Sequence, residues 1–152
     1  MDSVQMSGGR VFVLRLRAGE VLHEAIESFA LAQGIRSATV QAVGGAEDGS
    51  RIVMGPRDGH VLPIEPILHT LHGQHEVSGV GTIFPDVDGT PILHMHASFG
   101  RDGRSVTGCV RAGVVVWLVM EVVLQELLGD NAVRAMDPDT GFALLEVGGI
   151  DR

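Results

Sequence analysis

His94 and His96 stand two residues apart, and Cys109, the sole cysteine, closes the same stretch, LHMHASFGRDGRSVTGC. Imidazole nitrogen and thiolate sulfur are both zinc donors. Whether three such groups make a site depends on their meeting at one point. In a strand, side chains alternate between faces, so His94 and His96 project the same way. Asp102-Gly103 is a preferred centre for a two-residue hairpin turn. With that turn, Arg101 pairs with Arg104 and His96 lies opposite Cys109, and directly opposite residues share a face. One hairpin would then present N, N and S donors together. Three protein ligands leave a coordination position open, the pattern of a catalytic or ligand-binding metal rather than a closed structural one. A slip of one residue in the turn would carry Cys109 to the other face. The plainer alternative is two ordinary strand histidines and a small buried cysteine.

Other residues invite chemistry less strongly. Arg111, two residues beyond Cys109, is expected on the same face, as a contact for a carboxylate or phosphate or equally as a salt bridge across subunits. Glu121 interrupts an apolar run and is expected on the wet face of a half-exposed strand, because unpaired burial is costly. His69, His72 and His75 recur at every third residue, which fits neither a strand face nor a helical pair. They are expected as solvated or loop histidines, with His72 or His75 in reserve as a fourth ligand or acid/base group. Trp117 reads as core or interface, and Gly44-Gly45 as a turn.

The elements that must position these groups follow from periodicity. VFVLRLR (11–17) alternates as a strand. In 19–34, Leu22, Ala25, Ile26, Phe29 and Ala32 recur at helical spacing, with Gly34 as terminator. Strands are expected at 35–44, 50–55, 66–73, 75–84, 92–100, 104–110, 132–137 and 141–147. The stretch 114–127 is also expected as a strand for its valine density, with a short helical turn near 112–115. One or two helices and eight or nine strands make an α+β domain on a mostly antiparallel, mixed β-sheet. Residues 1–9 are expected as a flexible leader, 10–148 as the domain and 149–152 as a tail.

Composition narrows the partners. The chain has 152 residues, about one domain's length, with 45% hydrophobic residues. Its net charge is −8, and all 11 basic residues are arginine. That balance argues against nucleic acid as a partner. A single cysteine excludes an intrachain disulfide and fits a reducing, cytoplasmic setting or a metal role. No apolar run is long enough for a membrane helix, and the N-terminus has no signal-peptide pattern.

LRLRAGEVLHEAIESFALAQGIRSATVQAVGGAED, GQHEVSGVGTI and PILHMHASFGRDGRSVTGCVRAG together resemble the PPC domain, the plant and prokaryote conserved domain, over roughly Val11–Val147. The resemblance implies a PPC-like α+β subunit in a homotrimer. It also implies a metal held by three histidines, two from the His-x-His pair and a third after a glycine in the next strand. Here Cys109 follows Gly108 at that third position, which keeps a zinc ligand and changes its softness. The resemblance also makes Glu76 a pocket-lining candidate. Plant members carry Gly-Arg-Phe-Glu-Ile-Leu where this chain has Gly73-Gln74-His75-Glu76-Val77-Ser78, so that partner function does not carry over. No AT-hook is present.

Three readings follow. The first is an open divalent metal site, zinc for preference, on His94, His96 and Cys109. It would take a small-molecule ligand, with Arg111 as anion contact and Glu76, or less so Glu121, as the catalytic proton carrier. The second is a DNA-associated regulatory module, as names given to such proteins suggest. The third is a structural trimer that metal merely stabilises.

Overall fold

A computed structural model of the chain describes residues 1–148, so the tail expected at 149–152 lies outside the described residues. One α-helix, α1 (Leu22–Ala32), follows the first strand, β1 (Ser7–Arg17). Then come β2 (Ala38–Ala46), β3 (Arg51–Pro56), β4 (Pro66–Thr70), β5 (His75–Pro85), β6 (Pro91–Arg101) and β7 (Arg104–Cys109). A single 3₁₀ turn at Val110–Ala112 precedes β8 (Val116–Leu128), β9 (Ala132–Met136) and β10 (Ala143–Val147). The main sheet has the order β1-β8-β2-β5-β6-β7-β3-β4, and β9 and β10 form a separate hairpin. Among the described residues no helix is long and apolar enough to cross a membrane.

The α+β class on an antiparallel sheet is as expected, with four differences. Every ladder between named strands is antiparallel rather than mixed. The strands number ten among the described residues, one in each stretch marked as a strand, against the total of eight or nine. The turn expected near 112–115 lies two residues earlier, and β8 begins directly after Val115. Finally, β1 starts at Ser7, inside the expected leader, where Ser7 and Gly8 pair with Leu128 and Leu127.

A bulge between Gly8 and Val11 marks that extension. Within it, Arg10 Nε and Nη2 each donate to the Glu126 carboxylate at 2.7 Å. A Cβ on Gly9 would lie 2.8 Å from Glu126 Oε2, so glycine makes room for the pair. Glu126 is buried on the helix side of β8. The hydrogen bonds from Arg10 hold its carboxyl below the usual carboxylate range.

The helix packs on one face of the sheet through Leu22, Ile26 and Ala30, spaced four apart. It ends in a Schellman motif: Ile35 N donates to Ala30 O and Gly34 N to Leu31 O, with Gly34 at φ 66°. Ala32, expected on the apolar stripe, is exposed. Glu27 Oε1 accepts a hydrogen bond from Leu93 N at 2.8 Å, tying the helix to the start of β6. Beneath α1 lie Val40, Ile83, Met95, Phe99, Val122 and Leu124, all fully buried.

The opposite face has no such cover. Register runs Val13–Val123–Gln41–Val80–His96–Cys109–Val53 straight across seven strands. Val13, Val80 and Val123 are exposed on it, together with Val11 and Val43. Gly44-Gly45 is not a turn. It lies within β2 opposite a bulge in β8, where Trp117 Cε3 would sit 2.7 Å from a Cβ on Gly45.

Two stability measurements check this account. Leu124→Ala leaves a cavity under α1 and is expected to cost about 2–5 kcal/mol in urea unfolding. The Arg10–Glu126 contribution is present above the ordinary carboxylate range and is lost as pH falls through the depressed folded value, because the unfolded carboxyl takes up its proton first. Glu126→Gln should be less stable near neutral pH and should flatten the acid limb of stability against pH.

Candidate metal centre

The turn between β6 and β7 puts both Asp102 (φ 49°) and Gly103 (φ 72°) in the left-handed region. Two positive φ values in a two-residue loop match the twist of a tight hairpin. Arg101 then pairs with Arg104, and the ladder carries His96 opposite Cys109, the register expected from the turn residues. The strands close tightly around it. A Cβ on Gly108 would lie 2.6 Å from Val53 O, and one on Gly81 would lie 2.6 Å from His94 O.

Donor atoms of His94, His96 and Cys109 lie within 4.8 Å of one another. The two Nε2 atoms are 3.1 Å apart. Tetrahedral zinc needs roughly 3.3 Å between two nitrogen ligands and about 3.5 Å between nitrogen and sulfur. The donors therefore stand close to the spacing that one ion requires. Both imidazoles are exposed, whereas Cys109 is buried. Burial, then the positive charges of Arg134, His96 and Arg111, hold the His94 imidazole below its ordinary range. That favours the neutral ring, the form that binds metal. Donor type, spacing and protonation fit a divalent ion such as zinc.

Arg111 also reaches this place, by a different route from the one expected. The strand ends at Cys109, so alternation does not place it; the 3₁₀ turn does. A cavity of about 390 Å³ has His94, His96, Cys109 and Arg111 in its wall. Val53, Pro66, Phe142, Ala143 and Leu144 complete it, so the remainder is apolar. A second hollow, of about 420 Å³, meets the other side of the imidazoles along Thr39, Val80 and Thr82.

Sequence reasoning missed Arg134. It lies on β9, is buried, and donates to Thr82 Oγ1 at 3.1 Å, while its Nε has no partner. Its charge is felt at His94. Among the described residues neither Arg111 nor Arg134 forms an ion pair with a carboxylate. An arginine alone in a short strand gives no sequence signal; only the docking of the β9–β10 hairpin, through an isolated Asp86–Arg134 bridge, brings it here.

The proposed proton carriers are not gathered with the donors. Glu76 is exposed on β5, four residues from Val80, the partner of His96. At strand rise that is about 14 Å away along the sheet. Glu121 is exposed, as expected, but lies three strands from His96. His69, His72 and His75 border a different cavity.

Residues 3–128 match the Plants and Prokaryotes Conserved (PCC) domain, and the chain belongs to that family. The metal-containing protein AF0104 from Archaeoglobus fulgidus has a similar structure, with TM-score 0.82 and 28% identity over 95% of this chain and 98% of that one. A plant- and prokaryote-conserved protein of Pyrococcus horikoshii superposes with TM-score 0.78 and 29% identity, covering 99% of this chain and 100% of that one. A candidate DNA-binding protein of Bacteroides thetaiotaomicron shares the fold at TM-score 0.75 and 17% identity, over 93% of this chain and 97% of that one. Among curated proteins, the chain is 26% identical over 140 residues to bifunctional protein GlmU of Synechococcus sp. (strain JA-3-3Ab), covering 91% of this chain. The chain spans only 20% of that relative's length.

If the three donors act as a set, Cys109→Ser weakens zinc binding at least about tenfold in chelator competition. Cys109→His, which restores a nitrogen donor, binds zinc more tightly than the serine variant.

Proposed function

We propose that this chain holds a divalent cation, zinc for its mixed N and S donors, on His94, His96 and Cys109, and presents it to an anionic small molecule. The observation that carries this is the donor trio set in the wall of a 390 Å³ cavity that also contains Arg111. A volume of that order suits a small ligand. When bound, such a metal supplies Lewis acidity toward a ligand oxygen and lowers the pKa of bound water.

The chain's own groups define the rest. Arg111 offers a planar fork to a carboxylate or phosphate. Arg134, buried without a carboxylate partner among the described residues, adds positive charge that favours an anion. Phe142, Ala143 and Leu144 keep part of the cavity apolar, which strengthens those charge interactions. Glu76 and Glu121 stand too far off within one chain to move a proton here, so ligand binding is the reading and no reaction is assigned. The metal-containing archaeal relative supports the metal. The exposed valines on the donors' face support assembly of copies through it, and the family resemblance supports a homotrimer as the form of that assembly. A net charge of −8 gives no support to DNA as the partner.

Elemental analysis of gently purified protein should find about one zinc per chain, lost in His96→Ala. No metal in either protein after zinc is offered overturns the proposal. Arg111→Gln should keep its metal and bind small carboxylates about tenfold more weakly by calorimetry.

A further inference from the structure

A separate cavity of about 450 Å³ lies at the far end of the β6–β7 hairpin. Its wall includes His69 from β4, His72 from the following link, His75 from the start of β5, and Arg101, Arg104 and Ser105 from the hairpin tip. Three of the seven histidines therefore meet two arginines in one hollow of an acidic protein. Arg101 and Arg104 are directly opposite in the ladder, so both guanidiniums leave the same face.

The arrangement is braced. Arg101 Nη1 donates to Gln74 O at 2.8 Å. Its guanidinium lies where a side chain on residue 73 would be, since a Cβ there would come within 2.6 Å of Arg101 Cζ. Gly73, at φ 79°, is the residue that permits both the turn and the contact. Gly73 N donates to Asp48 Oδ1 at 2.6 Å, and His75 Nδ1 donates to Gly73 O at 2.9 Å, fixing that ring. The side chains of His69 and His72 make no hydrogen bond among the described residues, so their ring nitrogens are free for a ligand.

Charge and spacing decide what the ligand is. The only carboxylate in the wall is Asp102, which is 84% exposed and 3.4 Å from Arg101 Nε. Two guanidiniums against one carboxylate leave the hollow positive before any imidazole is protonated. A cation would be repelled. Moreover, the three imidazoles are not among the described groups whose donor atoms fall within shared reach of one metal. Two guanidinium forks, a hydroxyl and imidazole N–H groups suit an oxyanion with several acceptor oxygens. Phe99 and Val106 also border the cavity and give it an apolar side.

We propose that this cavity binds the phosphate group of a phosphorylated small molecule, independently of the metal centre. The test is amide-resolved NMR of the full chain titrated with inorganic phosphate and with phenyl phosphate, a monoester carrying an apolar ring. Shifts should gather at residues 69–75 and 101–106, with phenyl phosphate binding more tightly. Arg104→Gln and His72→Gln, both at exposed positions, should keep the wild-type spectrum elsewhere and weaken binding about tenfold or more. His96→Ala should leave it unchanged. Absence of shifts at millimolar probe, or binding insensitive to both variants, overturns the proposal. Equal affinity for the two probes overturns the organic part of the ligand. Shifts at His69, His72 and His75 on adding zinc to His96→Ala make the site a metal site instead, which also overturns it.

Discussion

Two consecutive positive φ values, Asp102 at 49° and Gly103 at 72°, decide where Cys109 stands. The hairpin that they close is paired residue for residue from Arg101–Arg104 to His96–Cys109, with no bulge between. Side chains in a strand have a period of two, so a slip of one residue would send the thiol to the helix side and leave the imidazoles alone. Glu27 of α1 holds the start of β6 by accepting from Leu93 N, and Gly108 lets Val53 of β3 close on the end of β7. The donor trio is thus fixed at both ends of the hairpin by neighbours that pair or pack with it.

The same sheet serves two purposes on its two faces. Its helix side is filled by apolar side chains and holds the domain together. The other side carries His96 and Cys109 in one row with exposed valines, and His94 in the row beside it. Charge sharpens this division. Arg111 and Arg134 come close to the donors without carboxylate partners, in a chain with more acids than bases. Positive charge there discourages proton binding at His94 while attracting anions. A protein that only needed a buttress for its sheet would gain nothing from two unneutralised guanidiniums beside it.

What was legible in the sequence is what depends on near neighbours. The Asp-Gly turn gave the register of the hairpin, the four-residue spacing of Leu22 and Ile26 gave the helix, and Gly34 gave its end. Features made by distant segments were not legible. Arg134 joins the donors only because the β9–β10 hairpin docks beside β5. His69, His72 and His75 fit no single element because three successive pieces of chain, strand, link and strand, each supply one. Their convergence is a consequence of the link that carries the chain from β4 at the sheet edge to β5 in its middle, not of a periodicity. The start of β1 was missed because Ser-Gly-Gly reads as loop, whereas the Arg10–Glu126 pair anchors it to β8 across 116 residues.

The donors and part of the wall around them come from different parts of the chain. His94, His96 and Cys109 lie within residues 3–128, the span that matches the family. Arg134, Phe142, Ala143 and Leu144 lie beyond it, on the β9–β10 hairpin or beside it. Val53 of β3 and Pro66 of β4 also line the cavity, so sheet and hairpin close it together. Changing the hairpin's residues would alter the cavity's shape and charge without touching the register that gathers the donors. A metal centre of the proposed kind would keep its ion while its ligand changes, because its donors are gathered by backbone pairing, whereas Phe142, Ala143 and Leu144 of the cavity wall belong to a separately paired hairpin or adjoin it.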